Sequence, residues 1–348
     1  MEGSIVRQTK AKLGLVLALG LLSLFILLVV SWSIGAVDLS FTEVLEKLVN
    51  IIANGGPERG DVEETIIWSR MVRSVAVIGV GIGLSISGVV MQALIRNPLV
   101  DPYITGVSSG AALGVALAIL AGIAVVQLAE FTTPIAAIIG AILTFLLTMT
   151  LAEAAGGRSI SYVLSGIIVG IALSSCTTVL LIYSDPNALH GILTWLFGSF
   201  AGVNATESLI IIVSILIITL IIMFYARELN VILLGDEHAR HLGLDIRWFK
   251  KFMVVVVSVL TALSVAFTGV IAFLGLIVPH TARMIVGGDH RLLIPASMVL
   301  GANVLLAADI FSRVAIRPNE LPIGAIISLI GAPFFIYLMI RKGKEYAG

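Results

Sequence analysis

The sequence holds a single cysteine, Cys176, among 348 residues, and it lies inside an apolar run. An intrachain disulfide and a cysteine metal cluster are therefore both excluded. Charge is scarce too: 12% of residues are Asp, Glu, Lys or Arg, against roughly 25% in soluble domains. With 59% hydrophobic residues and a mean hydropathy of +1.11, that deficit makes lipid the solvent and the chain an integral membrane protein. Basic and acidic residues balance at 21 each. Neutrality decides nothing about nucleic acid by itself, but no basic block is long enough to bind it. A G-x-x-x-x-G-K-[ST] phosphate loop is also missing, so the chain has no recognisable means of hydrolysing ATP. An intramembrane enzyme would need H-E-x-x-H or paired intramembrane carboxylates, and neither is present. Proton- or sodium-coupled carriers need ionisable groups at mid-depth, and no such row occurs in the apolar runs.

What the chain does have is long hydrocarbon stretches. A spanning helix needs about 20 apolar residues, and 13–34, 75–95, 104–126, 134–152, 162–182, 209–225, 294–310 and 323–340 supply eight candidates. The first follows Arg7, Lys10 and Lys12 as a signal peptide would. Its apolar run exceeds the roughly 7–15 residues of a signal core, so it reads as an uncleaved span. The stretch 252–286 is either one long helix or two spans turning near Gly269. The excess of Lys and Arg on cytoplasmic loops decides. Two spans make ten, put both termini in the cytoplasm, and place 15 of the 21 basic residues inside. The expected fold is an all-α polytopic bundle, one transmembrane domain over 1–348 in the cell (plasma or inner) membrane. Three segments interrupt it: an outer loop, 35–69, with an amphipathic helix in "FTEVLEKLVNIIANGG"; an outer segment, 184–207; and a cytoplasmic loop, 227–251.

Between two apolar runs stands "RNPLVDPYITGVSSGAALG", 96–114. In the ten-span topology it opens with a tight inner turn. Arg96 adds inside-positive charge, Asn97 follows, and Pro98 stops the second helix because its ring cannot continue the hydrogen-bond ladder. Asp101 fits an N-cap with Pro102 at the first helical position. Any inner hairpin could use these residues. The whole string, however, resembles the turn signature of the FecCD-type permeases. The resemblance continues in "LLGDEHARHLGLD" (233–245), in "GVIAFLGLIVPHTARMIVGGDHRLLIPASMVLGANVLLAADIFSR" (269–313) and in "ELPIGAIISLIGAPFFIYLM" (320–339). Four ordered matches along essentially the whole chain are far more specific than one short pattern.

The resemblance implies the membrane subunit of a binding-protein-dependent ABC importer for iron–siderophores, haem or cobalamin. It implies ten spans, a homodimer with the path at its two-fold axis, two ATPase subunits on the cytoplasmic face and an extracytoplasmic substrate-binding protein. ATP and Mg would belong to the ATPase, leaving this chain with no catalytic residue, no metal and no cofactor of its own. From the residues alone, Gly235 and Asp236 can open a short helix, with Asp236 favourable at its positive end. Glu237, Ala239, Arg240 and Leu242 follow, and Gly243 can end it. The resemblance makes this the element that seats in the ATPase. A metal site on Glu237, His238 and His241 is the rival reading, but no further ligands lie nearby and a solvated face outweighs it.

On the outer side, Arg70 and Arg73 precede the second span and Arg313 follows the ninth. Snorkelling at a helix end is the plain explanation. Exposed guanidiniums could instead pair with carboxylates of a docking protein, and the resemblance implies that role. The sequence here reads Arg70-Met71-Val72-Arg73, without the proline usual in the family's motif; Arg317 is a weaker alternative contact. The run 189–200 is too short to span and reads as a re-entrant or interfacial helix, with Trp195 suited to the headgroup level. Asn204 begins a glycosylation sequon. Gly79, Gly83, Gly110, Gly114, Gly166 and Gly170 form small-xxx-small pairs for helix packing. His280 reads as a structural histidine, and Asp309 as a local partner of Arg313 one turn on. The sequence leaves open a secondary carrier or channel working alone, and does not reveal the cargo.

Overall fold

The computed structural model of the protein describes residues 2–122 and 131–346. Among them the regular structure is helical apart from one isolated bridge between Ile316 and Asn319. Seven helices are long and apolar enough to cross a membrane: α1 (Glu2–Ser33), α3 (Val62–Ile95), α5 (Thr132–Ala154), α6 (Ser159–Ile182), α8 (Ala205–Phe224), α11 (Ile246–Ala266) and α13 (His290–Val314). Three further helices, α4 (Val107–Leu120), α12 (Leu274–Val286) and α14 (Ile323–Tyr346), whose apolar stretches are shorter, take the places of the other expected spans. The C-terminal part of the expected third span, 123–126, lies outside the described residues. The remaining helices are α2 (Phe41–Asn54), α7 (Pro186–Phe197), α9 (Ala226–Ile232) and α10 (Asp236–His241).

Helix α3 is the hub, packing on α8, α11, α12 and α13. It is apolar nearly all round, as a helix enclosed by others must be, and its side chains from 76 to 94 are almost continuously buried. It is also longer than the expected 75–95. Asp61 caps it by accepting from the Glu64 amide at 3.0 Å, and the charged residues of its first half are absorbed by partners rather than ending the helix. Close approach depends on glycine. A Cβ on Gly88 would lie 1.8 Å from the Gly275 carbonyl oxygen, and one on Gly140 would lie 2.1 Å from that of Gly110. Small residues thus let helix backbones touch where lipid supplies no hydrophobic drive.

The stretch 252–286 is two helices, broken at 267–273 with Gly269 and Phe273 both at positive φ. Buried irregular backbone must have its polar groups satisfied from inside the protein. Tyr103 does this for Ile271: its hydroxyl donates to the Ile271 carbonyl and accepts from the Ile271 amide, both at 3.2 Å. Tyr103 belongs to a 3-10 turn, Pro102–Thr105, which together with Gly106 precedes α4. The expected cap is present, with Asp101 accepting from the Tyr103 amide at 2.9 Å and Pro102 at the start. It opens this short turn, and α4 begins only after Gly106.

Candidate functional site

Two polar ends frame the bundle. At one end, α3 stops at Ile95, and Arg96 adopts a left-handed conformation (φ 55°) that lets its amide bond back to Ala93. Such a residue commonly ends a helix, with proline shortly after; Pro98 therefore follows the stop and does not cause it. Asn97 accepts from the Leu99 amide at 3.0 Å, tightening the turn. On the same end, Gly235 (φ 97°) precedes the six-residue α10, and Gly243 (φ 87°) follows it.

The structure joins these two signatures, which the sequence reading treated separately. Asp236 receives Lys250 Nζ at 2.8 Å and lies 3.2 Å from Arg96 Nη2. Partial burial opposes ionisation of Asp236, but Lys250 and Arg96 outweigh it and hold its carboxyl below the usual range. Nearby, Glu153 at the end of α5 pairs with Lys251 at 3.2 Å and accepts from the Tyr162 hydroxyl. Glu237, Arg240, His241 and Leu242 face outward. Ala239 does not: it is fully buried, because the short helix must rest one side on its neighbours. Leu233, Leu234 and Leu242 form exposed apolar points beside it. Among the described residues no group of three or more His, Cys, Asp or Glu could hold a metal ion.

At the other end, the expectation of exposed guanidiniums is corrected. Arg70, Arg73 and Arg313 are each less than a tenth exposed. Arg70 and Arg73 stand inside α3, and Arg313 in the last turn of α13, so their side chains turn into the bundle and find acceptors there. Arg70 donates to the carbonyls of Trp32 (2.8 Å) and Ser33 (3.1 Å) at the end of α1 and to that of Val37 in the loop beyond it. Arg73 donates through Nε to Asp309 at 2.9 Å and through both terminal nitrogens to Glu320 at 2.8 Å. Arg313 donates to the Ser31 carbonyl (3.0 Å) and hydroxyl (2.7 Å) and approaches Asp309 at 3.1 Å. Asp309 thus pairs with Arg313 one turn on, and also with Arg73. Arg317 is more accessible and pairs with Asp38 at 2.8 Å. Sequence reasoning missed Glu320 and Asp38; nothing in their spacing from the arginines marks them.

Beside this cluster, α2 is fastened by a capping box between Ser40 and Glu43 and buries Val44 and Ile51 against Ile67. Helix α7, twelve residues long, starts at the Asp185 cap and Pro186, and leads through Gly198 to α8. Asn204 caps α8 by accepting from the Glu207 amide at 2.9 Å. Trp195 is half-buried with its indole N–H enclosed rather than freely presented. His280 is buried among Pro98, Leu99 and Phe334.

The described residues thus form an all-helical bundle of apolar helices with a short, braced helix at one end. The model of the FecCD transport family matches residues 22–341, and the chain belongs to that family. It is 35% identical over 352 residues to the hemin transport system permease protein HmuU of Yersinia pestis, covering 100% of both chains. It is 36% identical over 282 residues to the vitamin B12 import system permease protein BtuC of Escherichia coli, covering 81% of this chain and 85% of that one. Among solved structures, it resembles an inward-facing conformation of a putative metal-chelate type ABC transporter. The TM-score is 0.81 at 32% identity, covering 93% of this chain and 98% of that chain. PsaBC from Streptococcus pneumoniae shares the fold at a TM-score of 0.59 and 17% identity, covering 84% and 94%.

Proposed function

We propose that this chain is the membrane subunit of a binding-protein-dependent ABC importer for a metal chelate: an iron–siderophore, haem or cobalamin. It works as a homodimer in the cell membrane, with both termini in the cytoplasm and the path at the two-fold axis. The observation that carries the reading is α10, presented outward and braced by Asp236 against Arg96 and Lys250, in a chain without a phosphate loop. Two ATPase subunits dock on α10. Their ATP-driven movement passes through the Asp236 ion pairs to the end of α3 and the start of α11, and the bundle switches which side is open. The chain performs no covalent chemistry and binds no cofactor.

The substrate-binding protein docks at the Arg70, Arg73 and Arg313 end. These guanidiniums already have internal acceptors, so docking proceeds by exchange. Glu320 is the most exposed carboxylate on Arg73, with 36% of its side chain accessible, and a partner carboxylate takes its place. The test is a gentle pull-down of the tagged protein from native membranes, with mass spectrometry of bound subunits and a visible spectrum of the eluate. Co-purified ATPase and binding protein are expected, and a corrin, haem or ferric-chelate band names the cargo. A chain that comes down alone and transports in vesicles without ATP is a secondary carrier or channel.

A further inference from the structure

Helix α2 carries an apolar face wider than the rest of the chain covers. Val44, Leu48 and Ile51 form one half of that face and pack around Ile67. The other half is Phe41, Leu45, Val49 and Ile52, which are 53%, 47%, 68% and 72% exposed. Spacings of four, four and three residues keep these side chains on one side of the helix. Glu43, Glu46, Lys47, Asn50 and Asn54 take the opposite side. A helix divided in this way, aromatic and aliphatic on one face and polar on the other, suits the boundary between lipid and water.

The placement of α2 points to the same boundary. The segment between α1 and α2 is closed at its base, because the Leu39 amide donates to the Ser33 carbonyl at 2.9 Å. Helix α2 therefore begins at the level where α1 ends, at the edge of an apolar spanning run. Trp32 in the last turn of α1 and Trp68 in α3 both pack against the Val44–Ile51–Ile67 cluster and are half-buried. Tryptophan favours the headgroup level. Trp32 also shares one side of α1 with Leu21 and Phe25, which are exposed. The open half of α2 thus continues the exposed apolar side of a spanning helix.

We infer that α2 is an interfacial anchor, with Phe41, Leu45, Val49 and Ile52 inserted among the acyl chains of the leaflet at the Arg70–Arg73 end. No cation stands on the stripe, so the contact is apolar and takes zwitterionic phospholipid. For the same reason it is separate from a docking contact made by guanidiniums. A partner that came and went would leave four large apolar side chains in water at each departure; lipid is always present. The anchor fixes the strap 34–39, whose Val37 carbonyl accepts from Arg70 and whose Asp38 accepts from Arg317. It does not depend on the chain being an importer, and its test reads lipid contact alone.

The full chain with Cys176→Ser receives Leu45→Cys, Val49→Cys or Ile52→Cys on the stripe, or Glu46→Cys or Asn50→Cys opposite it. Each cysteine carries a nitroxide label, and the protein is placed in dioleoylphosphatidylcholine nanodiscs. Power saturation compares collisions with oxygen, which concentrates among acyl chains, and with a water-soluble nickel chelate. The three stripe labels should favour oxygen over nickel, as a Phe25→Cys reference on α1 does. The two opposite labels should show the reverse, as should Arg59→Cys. Nickel access on the stripe equal to that at Asn50→Cys overturns the proposal; if that access is lost in a complex with the binding protein, the stripe is a docking surface instead. Low access to both reagents also overturns it and assigns the stripe to a second copy of the chain.

Discussion

Arg73 and Glu320 meet through two parallel hydrogen bonds, Nη1 to Oε1 and Nη2 to Oε2, both at 2.8 Å. The third donor of the same guanidinium, Nε, is bound to the fully buried Asp309. One arginine therefore ties α3 both to α13 and to the loop before α14. The two carboxylates differ in exposure, and that difference decides what each does.

Asp309→Ala removes the carboxylate shared by two buried cations, Arg73 and Arg313. Leaving a buried charge without its partner costs about 3–5 kcal/mol, whereas an exposed pair is worth about 0–1 kcal/mol. Thermal unfolding in detergent should show a large loss for Asp309→Ala and a small one for Glu320→Gln. Equal losses would show that the exposed end of the network matters as much as the buried one. In binding-protein titrations, Glu320→Gln should tighten docking, since it weakens the internal competitor for Arg73.

Close helix contacts give a second pair of variants. Gly88→Ala drives a methyl into the backbone of Gly275, which cannot move aside as a side chain would. Overpacking of this kind costs about 1–3 kcal/mol or more. Gly170→Ala has its nearest neighbour at 3.5 Å and should stay within about 0.5 kcal/mol of the parent. Denaturant or thermal midpoints of both proteins check the contrast.

Cross-linking tests the placement of α10. Cys176 is exposed, so it is first changed to serine. Single cysteines at Glu237, Arg240, His241 and Leu242 should then cross-link to the ATPase, while Ala239→Cys, facing inward, should not. Failure at all four outward positions in an assembled complex would remove α10 as the docking element.

Asp289, in the turn before α13, carries the clearest pH signature outside the apolar helices. Its hydrogen bond from Arg291 outweighs the burial penalty, and with Asn230 holds the carboxyl down to about 2. A depressed acid stabilises the fold above its ordinary range, and that contribution disappears as pH falls from about 4 toward 2. Asp289→Asn retains a side chain able to cap α13 but removes the charge. Its melting temperature should lie below the parent at neutral pH, and the two curves should converge at the acid end. Parallel curves would assign the stabilisation to the cap alone.

Much of the bundle was legible because lipid imposes a simple demand. An apolar run of sufficient length must be helical, and the break near Gly269 followed from where the basic residues had to lie. The limits of α10 were legible for a local reason as well: Gly235 and Gly243 supply positive φ on either side of a short polar helix. Lengths were less so. Glu63, Glu64, Arg70 and Arg73 look like the outer edge of a span, yet α3 runs through them because Asp61 caps it earlier and the arginines have buried acceptors. Ala239 looked as available as its neighbours, and only the packing of α10 revealed which side it faces.

The sequence by itself determined a helical membrane chain, its apolar segments, the short helix between two glycines and the family signatures, because these depend on composition and on neighbours along the chain. Tertiary structure alone decided that Arg70, Arg73 and Arg313 are internal ties and that Arg96 reaches Asp236. Those relations join residues from distant helices. Their strength depends on burial and on distances of a few ångströms, which the order of residues does not carry.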